Sequence, residues 1–332
     1  MLFRGGKKRA PEAPRAPQRS GFLNPTELAQ LASLDLRART IVEGAFAGMH
    51  RNLHPGTSME FTEHKEYAPG DEIRRIDWKA VGRGDRYFVK RFEDETEMHA
   101  VLVVDTSASM GYRRLGVSKL EYASTLAGAL AYLLGKQGDA AGLLLFDSRL
   151  RQYLPPTTRP GQIREVYRLL EEAQPGGRTD AAQALARLGE HLEKRSLIIV
   201  MSDLLDVELE AEVGTRAGLA RGPMADGLRQ LRARGHDVSL FHLLDADEVE
   251  LPFQDLVYFE GVEPEDGRTL LVEASDLTET FRRESAALRE RWRSTCLESR
   301  VEYRFTTTDT PPGEVLRSFV GDRQRGPRRG EG

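Results

Sequence analysis

The segment VLVVDTSASMGY, residues 101–112, decides how the chain is read. Four aliphatic residues, Val101 to Val104, run straight into Asp105, and Ser107 and Ser109 follow at alternate positions. A short apolar run without polar alternation is the pattern of a strand buried on both faces. Its polar end matters because open parallel sheets bind ligands at the carboxyl ends of their strands, where the winding reverses direction. Taken alone, D-x-S-x-S is also what a solvated strand-to-helix turn looks like, since Asp and Ser favour turns and helix starts.

The chain around this segment supplies the rest of a sheet. Strands are expected over 98–104, 140–146, 196–201, 237–244 and 301–307, with helices between them at about 118–136, 160–173, 180–194, 223–234 and 276–299. Apolar strands alternating with helices imply a doubly wound, mainly parallel α/β sheet covered on both sides. The helix after the Asp105 loop starts at a capping box, Ser118 with Glu121, and places Leu120, Ala123, Ala127, Leu130 and Leu134 on one face.

Three further regions frame this domain, which is expected to span 98–320 and to carry one insertion. Residues 1–21 and 321–332 are rich in Arg, Lys and Pro and read as disordered tails. Between 22 and 97 lie a helix over 24–46, with Leu28, Leu31, Leu34 and Ile41 along one side, and a β-rich stretch broken at Pro69-Gly70 and at Gly82 and Gly84. A small hairpin is expected near 249–272.

Composition narrows the function classes. Hydrophobic residues make up 39% of the 332 and charged residues 30%, which describes a globular chain, and a net charge of −4 gives no reason to expect nucleic acid or membrane binding. The longest apolar runs, such as VLVV and LIIVM, are far too short to span a bilayer. The basic N-terminus has no apolar segment behind its charges, so it is not a secretory signal, and a cytoplasmic location is expected. The tails leave room for a weak contact with anionic lipid or an acidic partner. The single cysteine, Cys296, excludes an internal disulfide framework and suits a reducing compartment.

Two distant positions bear on the Asp105 cluster. Asp203 directly follows SLIIVM at the end of another buried strand, and Thr179 precedes a helix in PGGRTDAAQAL. If the strands leading to Asp105 and Asp203 are neighbours, all three segments meet at one crevice. Thr179 is otherwise an ordinary helix cap, although Asp180 and Gln183 have the spacing to cap that helix between them. Asp203 is otherwise a turn acid, with Asp206 as its rival.

Asp105, Ser107, Ser109, Thr179 and Asp203, in this order on such a sheet, resemble the metal-ion-dependent adhesion site of von Willebrand factor A domains. The upstream segment YAPGDEIRRIDWKAVGRGDRYFVKRFEDE (67–95) carries Gly70, Asp71, Arg74, Ile76, Asp77 and Trp78, which match the G-D-x-x-R-x-I-D-W signature of the bacterial family filed as domain of unknown function 58. The resemblance runs from about residue 40 to 320. It implies a Mg²⁺ site on those five side chains that recognises a protein partner through the partner's Asp or Glu. It also implies work with a MoxR-type AAA+ ATPase, or with an acidic substrate of that ATPase, in a chaperone-like or assembly role.

The residue chemistry agrees with that implication. Hydroxyl and carboxylate oxygens without Cys or His select a hard octahedral ion, Mg²⁺ with Mn²⁺ as substitute. Two carboxylates and three neutral hydroxyls leave the coordination of such an ion to be completed, so it attracts a foreign carboxylate. The rival is a phosphatase of the haloacid dehalogenase type, which needs a second acid two residues after the nucleophile, where Ser107 stands. No Walker-type loop is present either, so a binding module rather than an enzyme is expected. For a zinc site from His50, His54 and His64, Pro55 and the β-like pattern break the helical spacing that would bring His50 and His54 onto one face. Asp71, Arg74, Arg75 and Asp77 read either as ion pairs across a packed hairpin or as charges that receive the partner beside the crevice.

Overall fold

The computed structural model describes residues 2–3, 22–47, 61–66, 88–92, 98–113, 116–178, 181–205, 219–220, 222–253, 256–260 and 269–324. They fall into two compact units, one of residues 1–48 with 99–332 and the other of residues 49–98.

In chain order the elements are β1 (Leu2–Phe3), α1 (Pro25–Ala29), α2 (Leu34–Phe46), β2 (Phe61–Glu66), β3 (Phe88–Phe92), β4 (His99–Asp105), α3 (Lys119–Gln137), β5 (Ala140–Phe146), β6 (Leu150–Thr157) and α4 (Gln162–Glu172). There follow α5 (Ala181–His191), β7 (Ser196–Ser202), α6 (Pro223–Ala233), β8 (Asp237–Leu244), α7 (Ala246–Glu250), β9 (Leu256–Glu260), β10 (Thr269–Glu273), α8 (Ala274–Glu298), β11 (Glu302–Thr307) and α9 (Pro312–Gln324).

The larger unit is built on a six-stranded sheet in the order β11-β8-β7-β4-β5-β6. All pairs are parallel except β5 with β6. Numbered within the sheet this is the 3-2-1-4-5-6 order of doubly wound folds, so the winding reverses between β4 and β7. The expected fold is present. One face packs Val101, Val103, Ile198 and Val200 against Leu185 of α5, Leu228 of α6 and Trp292 of α8. Cys296, one turn after Trp292, is buried in the same cluster, and burial pushes its thiol up to about 12.

The other face is covered by α3, which packs on β4 and β5 and is itself covered by α2, α4 and α9. That outer cover explains why α3 is buried nearly all round rather than on one stripe. Gly128 is what lets α2 approach, because a Cβ there would meet Leu34 Cγ at 3.0 Å. The capping box expected at Ser118 and Glu121 is formed in both directions.

Three expectations change and one strand is new. The N-terminal helix is two helices: Asn24 and Glu27 box the start of α1, Ser33 caps α2, and the Glu171 carboxylate accepts from Leu34 N–H at 2.7 Å. Strand β6 had no expectation, because its polar alternation and Pro155-Pro156 disguise it; as the antiparallel edge strand it tolerates proline. Helix α9 runs on to Gln324, into the stretch read as tail, because Asp322 and Arg323 pair with Arg304 and Glu302 on β11. Leu2 and Phe3, also read as tail, lie opposite Glu260 and Phe259 on the edge of the β9–β10 hairpin, whose unpaired backbone groups accept any extended segment.

In the smaller unit β2 and β3 pair antiparallel with an irregularity between Phe61 and Glu63. Asp71, Arg74, Arg75, Asp77 and Trp78 lie outside the described residues, as do His50 and His54.

Candidate metal centre

Asp105 closes β4 and Ser202 closes β7, two parallel neighbours in which Val104 lies opposite Met201. The reversal of winding therefore brings Asp105 beside the Ser202-Asp203 turn. The Asp105 carboxylate accepts from Ser107 N–H at 2.8 Å on one oxygen and from Ser202 Oγ–H at 2.6 Å on the other. Ser107 and Ser109 open a short 3-10 turn, 108–111, with their hydroxyl oxygens 3.0 Å apart. Ser202 Oγ also accepts from Leu204 N–H, and Leu204 is held at φ 58°, a left-handed conformation that costs a branched residue about 1–3 kcal/mol. Strain of this kind persists only where surrounding contacts dictate it.

The segment before Thr179 is stitched to the same loop. Gly176 N–H donates to Thr106 O at 2.8 Å, and Ala108 N–H donates to Gly177 O at 3.0 Å. Position 177 must be glycine, since its φ is +75° and a Cβ would come 2.5 Å from Asp147 Oδ2. Thr179, Asp180 and Asp206 lie outside the described residues.

Asp203 is fully buried, and its Oδ2 accepts from Lys119 Nζ at 2.6 Å. The same ammonium donates to Glu248 Oε1 at 2.7 Å, and the other oxygen of Glu248 accepts from Asp245 N–H to box the start of α7. Lys119 has no exposed surface. Burial works against its charge, but Asp203 and Glu248 outweigh it and raise the ammonium above its ordinary value. Burial likewise raises Glu248, with Lys119 opposing. Asp105 is pushed up to about 7, first by burial and then by the charge of Asp203, against the bonds from Ser202 and Ser107. Next to the Ser202 turn, His242 is driven to about 3 by burial and so is a neutral imidazole.

These groups fit a hard divalent cation. Among the described residues no three His, Cys, Asp or Glu side chains converge on one metal position, so a cation here must draw on hydroxyls. Two adjacent ligands of an octahedral Mg²⁺, each at 2.0–2.1 Å, lie about 3.0 Å apart, and Ser107 Oγ and Ser109 Oγ have that separation. Asp105, Asp203 and Glu248 as carboxylates with Lys119 as ammonium sum to two negative charges, which one divalent ion neutralises. Ser107, where a phosphatase would need its acid, instead has its N–H on Asp105 and its hydroxyl on Ser109.

The sequence brought Asp105, Ser107, Ser109 and Asp203 to one edge, and there they are. It missed Ser202, Lys119 and Glu248. A signal for two of them existed: Lys119 is the first residue after a capped helix start, and Glu248 follows the acid at the end of β8, the same position that singled out Asp105 and Asp203.

The family described as "Protein of unknown function DUF58" matches residues 63–294. An uncharacterized protein of Mycobacterium tuberculosis, Rv1480, is 27% identical over 308 residues, covering 91% of this chain and 92% of its own. The crystal structure of the conserved hypothetical protein BatB from Bacteroides thetaiotaomicron is 16% identical, covering 69% of this chain and all of its own at a TM-score of 0.45. The vWF domain of the pilus tip protein Mfa5 from Porphyromonas gingivalis is 14% identical, covering 71% and 98% at 0.37.

Proposed function

The chain belongs to the family of unknown function DUF58, and from that membership and the geometry of the crevice we propose a protein-interaction module that holds one Mg²⁺ and docks a partner's carboxylate on it. Asp105, Ser107, Ser109 and Asp203 would hold the ion, with Thr179 as the fifth side chain. The observation that carries this reading is the unbalanced buried charge at the point where the winding reverses, beside two hydroxyls at octahedral spacing. When bound, the ion supplies a Lewis-acidic site for a foreign oxygen. This chain's own residues do the positioning. Ser202 and the Ser107 N–H fix the Asp105 carboxylate, while Lys119 holds Asp203 and takes up part of its charge.

The first candidate partner is a MoxR-type AAA+ ATPase and the second an acidic substrate of it, both on the resemblance of the family signature and the D-x-S-x-S pattern. No helix among the described residues is long and apolar enough to cross a membrane. Calorimetry with Mn²⁺ on wild type and Asp105→Ala tests the ion: one site lost in the variant supports it, and equal binding in both sinks it. Pull-downs with the same two proteins, each in Mg²⁺ and in chelator, test the docking. Partners retained under all four conditions would place the interaction elsewhere on the surface.

A further inference from the structure

Lys119 stands where two rules disfavour a lysine. It is the first residue of α3, so its charge lies against the positive end of the helix dipole. Its side chain has no exposed surface, and taking an ammonium out of water is costly. It is also outnumbered: Asp203 Oδ2 lies at 2.6 Å and Glu248 Oε1 at 2.7 Å, so the three groups together carry a negative charge rather than forming a neutral pair. Replacing a buried ion pair by apolar residues is often neutral or stabilising. Folding stability alone therefore does not account for the arrangement.

The two acids are held unequally. Glu248 is fixed on both oxygens, since Oε1 takes the ammonium and Oε2 accepts from Asp245 N–H at 2.7 Å in the capping box of α7. Asp245 is tied in turn, accepting from Asp247 N–H and from Thr308 Oγ–H, each at 3.1 Å. Asp203 is held by Lys119 on Oδ2 and, more loosely, by Leu205 N–H at 3.4 Å on Oδ1. Glu248 thus anchors the ammonium in the crevice, while Asp203 is the acid on which a second cation can draw.

We propose that Lys119, anchored by Glu248, selects the charge of the ion that the crevice accepts. The ammonium is the cation that the crevice keeps when no ion is bound, and it shares Asp203 with the ion when one is. It holds the buried set of Asp105, Asp203, Glu248 and Lys119 at two negative charges, which suits a divalent ion and disfavours a trivalent one. Lys119 acts as a positioning residue, because it touches Asp203 and not the ion. The inference rests on the reading of the crevice as a metal centre and adds what sets its selectivity.

Competition between Mn²⁺ and Tb³⁺, two oxygen-seeking ions of different charge, tests it on the full chain by calorimetry and Tb³⁺ luminescence. Lys119→Met leaves three negative charges and should raise the preference for Tb³⁺ over Mn²⁺ by about tenfold or more, as a unit charge about 10 Å away does at an effective dielectric of about 20. Glu248→Gln leaves one negative charge and should lower that preference by a similar factor. Damage to the fold alone would weaken both ions together and leave the preference where it is. Should Lys119→Met fail to fold, Glu248→Gln and the double variant carry the test, the double variant returning to two negative charges and to the wild-type preference. Wild type that binds neither ion overturns the metal reading, and this inference with it. The charge-selecting role alone is overturned if wild type binds Mn²⁺ and Asp105→Ala loses it, yet Glu248→Gln keeps the wild-type preference or the double variant departs from it.

Discussion

Four parallel strands of the central sheet end in an aspartate at or just past their last residue, yet these acids divide into two kinds. At the outer ends, Asp147 after β5 and Asp245 after β8 are answered locally. Asp147 is paired with Arg151 and accepts from Arg149 N–H, while Asp245 caps α7 and accepts from Thr308 Oγ–H. At the inner ends, Asp105 and Asp203 face each other across the reversal of winding, and Lys119 bonds Asp203 and Glu248. Residue type and position in the strand are shared, so neither distinguishes a structural acid from a functional one. What distinguishes the inner pair is that two buried acids face each other, so that the charge of Asp203 raises Asp105.

Breaking the balance at Lys119 should have the largest effect. Lys119→Met leaves Asp203 and Glu248 buried without their shared counter-charge, a change that typically costs about 3–5 kcal/mol. Urea denaturation in chelator measures it, and a midpoint like that of wild type would mean that the pair is solvated. Leu130→Ala, further along the same helix and buried, calibrates that loss against an apolar one, about 2–5 kcal/mol.

The two kinds of acid should then separate in a paired substitution. Asp147→Asn should cost about 1–3 kcal/mol and keep Mn²⁺ binding. Asp105→Asn should abolish Mn²⁺ binding and cost little stability in chelator, because it removes a repulsive charge. Acid dependence sharpens the point. With its folded value raised from 3.8 to about 7, Asp105 favours the folded state while protonated, so stability in chelator should fall as pH rises through that window. Asp105→Asn should flatten that part of the profile, and saturating Mn²⁺ should flatten it in wild type. A profile that slopes the same way in all three would assign the titration to another group. The smallest effect is expected at Arg168, which pairs with Glu165 and Glu172 on the exposed face of α4. Arg168→Ala should leave the urea midpoint within experimental error.

Where hydrophobic pattern and backbone need coincide, the sequence was legible. The parallel strands, the hairpin of β9 and β10, and the capped start of α3 at Ser118 all lie within a few residues of their expected places, because each is encoded by neighbours in the chain. Strand β6 was hidden because an edge strand is held by its partner rather than by its own pattern. The pairing of Lys119 with Asp203 and Glu248 spans 84 and 129 residues, and no local spacing encodes it. The break between α1 and α2 depends likewise on Glu171, far along the chain. Of the centre itself, the residues expected on one edge were readable from strand ends, whereas the charge balance among them required three dimensions.

Cys296, packed behind Trp292 in the core, gives the protein a built-in clock. It is the sole thiol of the chain, and in the folded state it is both enclosed and held protonated, whereas alkylating reagents attack the exposed thiolate. Modification must therefore wait for the core around α8 to open, and each labelled molecule marks one opening. Because an ion that binds only the folded form makes such openings rarer, added Mn²⁺ should slow alkylation of wild type and leave the rate in Asp105→Asn unchanged, registering occupancy of the crevice from the far face of the sheet.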